Sequence, residues 1–264
     1  MPDATELGRW LTTANAIIDE TRSLIIKSVR DGFEHRMKTD DTFVTDVDLA
    51  VEKLLRRRLG RRFPEHGLIG EEYESERTDS RFQWTIDPID GTHSFRHGLQ
   101  LYGTILALLD GERAILGVID LPGLDMRLSA AAGLGATING SALRLNDVGD
   151  APIEKEIIAT GERQQFVGAG KEAVFDALMG AHEHVRTYCD AFGHALALTG
   201  RVGAMVDFGL HVWDVAATQV LVEEAGGAFE TLFRGPRSNA GTSYDVVFGK
   251  PSVVEWLVAR IKEA

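Results

Sequence analysis

The sequence predicts a mixed α/β protein, and three observations carry that expectation. Residues Glu6 to Val29 repeat apolar side chains at helical spacing. The middle of the chain places apolar runs on either side of Asp110-Gly111 and before Asn139-Gly140, both strong turn signals. From Ile157 onward, strand-like and helix-like segments alternate.

Taken in order, the first helix sets Leu7, Trp10, Leu11, Ala14, Ile17, Ile18, Leu24 and Ile25 on one side. Thr45 opens a second helix, with Asp48 three residues on as in a capping box. That helix runs through Leu54 and Leu55 to near Phe63, and Pro64-Glu65-His66-Gly67 ends it in a turn. Arg56-Arg57-Arg58 reads as a solvated face of this helix, because its apolar stripe points elsewhere. Leu68-Ile69-Gly70 is a short strand leading into Glu71-Glu72. A second short strand ends before Asp87, and Pro88 stiffens a turn between Asp87 and Asp90. Tyr102–Leu109 and Ala114–Asp120 form a hairpin, which Arg127–Ala131 and Ala136–Ile138 extend. Strands then follow at Ile157–Thr160, Val185–Tyr188, Ala204–Asp207 and Asp245–Phe248. Helices are expected at Lys171–Met179, Phe192–Thr199, Trp213–Ala225 and Val253–Ile261. A shift in composition near Asp150 divides the chain into an N-terminal lobe, 1–150, and a C-terminal lobe, 151–264, of one compact unit.

The net charge of −12 argues against nucleic-acid binding as the main task, which needs clustered Lys and Arg. A single cysteine, Cys189, excludes an internal disulfide framework and a cysteine zinc site, and a reducing cytoplasm is the expected compartment. No apolar run approaches the ~20 residues of a membrane helix, and Met1–Trp10 does not read as a signal peptide.

The chemistry concentrates at element ends. Asp87 and Asp90 place two carboxylates three residues apart, suited to hard divalent cations such as Mg²⁺. Gly91 and Thr92 follow where a helix can start, so their backbone N–H groups can take a phosphate oxygen. Glu71-Glu72 and Asp214 are further acidic groups at element ends. Carboxylates that converge repel one another unless cations join them, and this reads as a metal site for phosphoryl chemistry. Asp46-Val47-Asp48 has the spacing of an aspartyl-nucleophile phosphatase but opens a helix without a preceding apolar strand. His35, His66, His182 and His184 fall in polar stretches and read as surface residues. His93, His194 and His211 lie near the acidic elements, and Cys189 reads as a pocket-wall or core residue.

Together these motifs resemble the inositol monophosphatase superfamily of Mg²⁺-dependent, lithium-sensitive phosphatases. Trp84-Thr85-Ile86-Asp87-Pro88-Ile89-Asp90-Gly91-Thr92 is similar to its first signature. Trp213-Asp214-Val215-Ala216-Ala217 with Glu223-Glu224-Ala225-Gly226-Gly227 is similar to its second. Gly70-Glu71-Glu72 and Lys38 with Val44–Asp48 match in order and spacing. The resemblance implies a layered αβαβα sandwich, two sheets with helices between and outside them. It also implies two or three Mg²⁺ per active site, a small-molecule phosphate ester as substrate, and a homodimer. Residue by residue, Glu71, Asp87 and the carbonyl of Ile89 resemble ligands of one metal, and Asp87, Asp90 and Asp214 those of a second. Thr92 and Glu71 resemble the pair that activates water, Asp48 the acid supporting them, and Lys38 and Glu72 outer positions. Gly91 and Thr92 would hold phosphate. Asp190, His194, Asp207 and Asp214 would meet the rest of the substrate. Leu101-Tyr102-Gly103-Thr104, Asp120-Leu121-Pro122 and Asp190-Ala191-Phe192-Gly193-His194 resemble the histidinol-phosphate phosphatase branch, although Cys189, His194 and His93 depart from its usual residues. Inositol 1-phosphate or another polyol phosphate is the alternative substrate, and an inactive regulatory homologue the alternative of another class.

Overall fold

The computed structural model describes residues 2–37, 43–149, 152–237 and 242–263. Helix α1 (Ala4–Asp31) starts at Asp3, whose side chain accepts the N–H of Glu6. Strands β1 (His35–Met37) and β2 (Phe43–Thr45) pair antiparallel and lead into α2 (Asp46–Arg62), which Thr45 and Asp48 close with the expected capping box. Next come β3 (Gly67–Gly70), β4 (Phe82–Asp90) and the short α3 (Thr92–Arg96). A meander of β5 (Gly103–Asp110), β6 (Arg113–Leu121), β7 (Met126–Ala131), β8 (Gly135–Ile138) and β9 (Ser141–Leu143) completes a seven-stranded sheet of order β3-β4-β5-β6-β7-β8-β9. Only β3 and β4 run parallel in it.

The second half contains β10 (Ile158–Thr160), α4 (Arg163–Gly168), α5 (Glu172–Ala181), β11 (Val185–Thr187), α6 (Asp190–Leu198), β12 (Ala204–Leu210) and α7 (Val212–Ala225). It ends with β13 (Ala228–Pro236), β14 (Thr242–Gly249) and α8 (Pro251–Glu263). Its five-stranded sheet has the order β11-β10-β12-β14-β13. The seven-stranded sheet ends at Leu143 and the five-stranded one begins at Ile158. The lobe boundary expected near Asp150 lies outside the described residues.

These elements stack as the expected αβαβα sandwich. Helices α1 and α2 cover one face of the large sheet, and α6 and α7 fill the space between the sheets. Helices α4, α5 and α8 close the far face. Because both faces of the large sheet are covered, β5 and β6 are buried almost end to end, which is why they read as continuous apolar runs. Helix α7 buries Val215, Ala216, Ala217, Val220, Leu221 and Val222 between the two sheets. It comes so close to β6 that a Cβ on Gly117 would stand 2.8 Å from Ala217 Cα.

Several expectations change on the structure. Strand β4 does not stop before Asp87 but carries both Asp87 and Asp90, with its register slipping between them. Pro88 has no N–H to give a ladder, and the bulge absorbs that loss. Arg56 is not solvated: it pairs with the fully buried Glu52 at 2.7 Å, and Glu52 also accepts the Glu72 N–H at 2.8 Å, tying the Glu71-Glu72 turn to α2. His66 and His182 are buried rather than on the surface; His66 stacks on Phe63 with ring centroids 4.9 Å apart. Strands β1, β9 and β13 and helix α4 add to the expected elements.

Gly117→Val should crowd α7 off the sheet and cost about 2 kcal/mol. Urea unfolding checks this: the midpoint should fall with the slope unchanged, and a midpoint like that of the unsubstituted protein would mean that α7 is not tightly seated.

Candidate active site

A cavity of about 520 Å³ opens where the end of β4 meets the starts of α6 and α7. Its lining contains Glu71, Asp87, Asp90, Asp190, Asp207 and Asp214 and, among the described residues, no lysine or arginine. Apart from Asp48, held by Thr45 and Thr92, the chain elsewhere pairs its buried carboxylates with cations. Asp120 meets Arg22 at 2.8 Å and Arg127 at 2.7 Å, Glu52 meets Arg56, and Asp245 meets Arg237. The cavity is where that rule is broken.

Each acidic group is set by its own element. Asp87 and Asp90 come from the bulged end of β4. Glu71 follows β3, and its N–H donates to the Ile86 carbonyl at 3.2 Å. Asp214 sits in the first turn of α7, where its Oδ2 accepts the His211 N–H at 2.7 Å. Asp48, buried in the first turn of α2, stands behind the cavity. Gly91 has φ +89, a left-handed conformation, and a Cβ there would lie 2.8 Å from the Leu101 carbonyl, so the turn from β4 into α3 requires glycine.

The electrostatics follow from the crowding. Burial, then repulsion from Glu71, Asp90, Asp214 and Asp48, holds the Asp87 carboxyl well above the ordinary carboxylate range. Burial, then Asp190 and Asp214, does the same to Asp90. Asp214 is pushed up by burial and its acidic neighbours, against the opposing His211 N–H. Burial also raises Asp48, opposed by hydrogen bonds from Thr45 and Thr92.

Thr92 opens α3 with its hydroxyl 2.9 Å from the Ile89 carbonyl and 3.1 Å from Asp48 Oδ1. Both are acceptors, so the hydroxyl hydrogen is held on that side and the oxygen's lone pairs are left for another donor.

A second acidic group, Asp190 and Asp207, also lines the cavity and adds to the charge felt by Asp90. Asp190, at the first position of α6, has φ +61, rare outside glycine and a mark of functional sites. Burial, then Asp207 and Glu162, pushes its carboxyl up to about 7. Asp207 lies on β12, 1% exposed. His194, expected to touch substrate, lines the cavity with both ring nitrogens engaged within the protein, at Thr218 and Asp207. Cys189 is half-buried next to Asp190, and burial pushes its thiol up, so it is a poor nucleophile. Glu72 flanks Glu71 through its N–H bond to Glu52. Lys38 lies outside the described residues. Sequence reasoning missed Gln165 in the cavity wall and Glu162 beside Asp190. Both belong to the start of α4, too short to give a periodic signal.

The donor set fits a divalent cation. Asp87 Oδ1 is buried without a hydrogen-bond partner, and hard cations take carboxylate oxygens of this kind. Among the described residues no three of these donors form a closed coordination shell, so the fit rests on donor chemistry and on that unpaired oxygen.

Comparison with known proteins finds relatives along most of the chain. The model of the inositol monophosphatase family matches residues 6–263. The chain is 37% identical over 190 residues to a histidinol-phosphatase of Chlorobaculum parvum, covering 72% of this chain and 73% of that one. It is 32% identical over 237 residues to Nus factor SuhB of Escherichia coli, covering 88% and 87%. A solved inositol monophosphatase from Anabaena (Nostoc) sp. superposes with a TM-score of 0.81 at 25% identity, covering 98% of this chain and 97% of that one.

The raised carboxyls fix the sign of a pH effect. A group whose pKa is higher folded than unfolded stabilises the fold at low pH and loses that contribution as pH rises through its folded value. Asp190, pushed up to about 7, should therefore weaken the chelated protein as pH rises from about 4 through about 7, and Asp87, Asp90 and Asp214 act in the same direction. A divalent cation competes with those protons, so the gap in Tm between Mg²⁺-loaded and chelated protein should widen over the same range. His66, lowered by burial, acts in the opposite direction but equally in both samples. Thermal melts across pH check this, and a constant gap would contradict it.

Proposed function

The chain belongs to the inositol monophosphatase family and is a phosphoric monoester hydrolase, and from that premise we propose that it is Mg²⁺-dependent and cleaves L-histidinol phosphate. The observation that carries the substrate is the second acidic group. Asp190 and Asp207 both line the cavity, and Asp190 is crowded by Asp207 and by Glu162. Histidinol phosphate brings an ammonium and an imidazole, and a cation there would relieve this crowding through charge-assisted hydrogen bonds. The relative from Chlorobaculum parvum, named a histidinol-phosphatase, supports the same reading.

In this reading Glu71, Asp87 and the Ile89 carbonyl hold one metal ion, and Asp87, Asp90 and Asp214 another, with two or three ions per site. Bound Mg²⁺ would supply Lewis-acid activation of phosphate and water. Thr92, its hydrogen held toward Ile89 and Asp48, accepts a hydrogen bond from the attacking water and orients it. Glu71 takes the water's proton as general base. The N–H groups of Gly91 and Thr92 hold phosphate oxygens, and Asp48 keeps the Thr92 hydroxyl turned. Asp190 and Asp207 bind the alcohol portion. Lys38 and Glu72 serve as outer residues, the active unit is a homodimer, and the protein works in the cytoplasm.

A polyol phosphate such as inositol 1-phosphate is the second reading. Asp207 favours it, because a carboxylate accepts from hydroxyls as readily as from an ammonium.

Phosphate release with Mg²⁺ decides between the two. We expect kcat/KM for histidinol phosphate to exceed that for inositol 1-phosphate by ~100-fold, about 2.7 kcal/mol; the reverse preference would overturn the first reading. Asp90→Asn keeps the shape of a metal ligand but weakens it, and should lower kcat by about 100-fold or more. Near-normal turnover in that variant would sink the metal assignment.

A further inference from the structure

His194 is 1% exposed and packs against Phe248, ring centroids 4.9 Å apart. Its Nδ1 lies 2.7 Å from Thr218 Oγ1 and its Nε2 3.4 Å from Asp207 Oδ2. The chemistry of the two ends sets the direction of this chain. A carboxylate only accepts, so Nε2 carries a hydrogen toward Asp207. The Thr218 hydroxyl has no other hydrogen-bond partner among the described residues, so it donates to Nδ1. Thr218, His194 and Asp207 come from α7, α6 and β12, and Thr218 stands one turn beyond Asp214 on α7. Helix α7, which presents Asp214 to the cavity, thus also begins a chain of donors that ends at Asp207 in the same cavity. The other oxygen of Asp207 accepts the Phe208 N–H at 2.9 Å, so the carboxylate is held from both sides.

We propose that His194 is a positioning residue for substrate recognition: its Nε2–H fixes the Asp207 carboxylate in the cavity wall, and Asp207 takes the polar group of the ester's alcohol portion. The proposal rests on Asp207 as part of the recognition wall, not on which ester is cleaved. A residue that only filled space would be replaceable by phenylalanine.

The test uses full-length protein saturated with Mg²⁺. His194→Phe keeps a ring against Phe248 but loses both hydrogen bonds. His194→Gln keeps an N–H donor toward Asp207. KM and kcat are measured on the ester the unsubstituted enzyme prefers and on ethyl phosphate, whose alcohol portion carries no polar group. His194→Phe should raise KM for the preferred ester about tenfold, the loss of one hydrogen bond to a charged group. Its kcat should stay within about threefold, ethyl phosphate should barely respond, and His194→Gln should recover most of the loss. Equal losses on both esters, or no recovery with glutamine, would overturn the proposal. Should His194→Phe fail to fold, Thr218→Val breaks the first bond and leaves the imidazole in place; KM like the unsubstituted enzyme's would then overturn it. Nitrogen-15 NMR of the unsubstituted protein reads the chain without turnover: Nδ1 should be an unprotonated acceptor and Nε2 protonated, and the opposite tautomer contradicts the proposal. Turnover of neither histidinol phosphate nor inositol 1-phosphate would overturn the substrate reading above and leave the tautomer to decide this one.

Discussion

Burying like charge is the constraint on which the site depends. Asp87, Asp90 and Asp214 are each raised by burial and then by acidic neighbours, Glu71 among them in every case, so the folded chain bears an unfavourable electrostatic term at neutral pH. Such groups persist only where the surroundings over-determine them. Here the bulged end of β4 fixes two carboxylates, the capped start of α7 fixes a third, and Glu52 ties the Glu71-Glu72 turn to α2. The five-layer packing holds these elements rigid, above all α7, which lies buried between the two sheets. A divalent cation reverses the sign of that term, so the same repulsion that weakens the apo fold gives the site its affinity.

The proposed function divides the acidic residues at the cavity into two groups with different tasks. One is made of Asp87, Asp90, Asp214 and Glu71, whose chemistry suits metal ions. The other is made of Asp190 and Asp207, with Glu162 acting on Asp190, and its chemistry suits the alcohol portion of an ester.

Much of the fold was legible where one signal dominated. The Thr45–Asp48 capping box, the Asp110-Gly111 hairpin and the apolar runs of β5 and β6 all appear where expected. What stayed hidden depended on partners distant in sequence. Pro88 and Gly91 read as a turn, but pairing with β5 carries the strand through Asp87 and Asp90. Strand β13 is half-exposed at a sheet edge and owes its existence to β14. The acidic residues of the site were legible as residues. The left-handed backbone of Asp190 and the burial of His194 between Thr218 and Asp207 were not, because they arise only when α6 packs against α7 and β12.

The most direct test of this division of roles is to locate a metal in the cavity. Crystals soaked in Mn²⁺ and measured for anomalous scattering should show ions against Asp87, Asp90, Asp214 and Glu71, with none between Asp190 and Asp207. An ion bridging Asp190 and Asp207, with the β4 carboxylates bare, would contradict that division of roles.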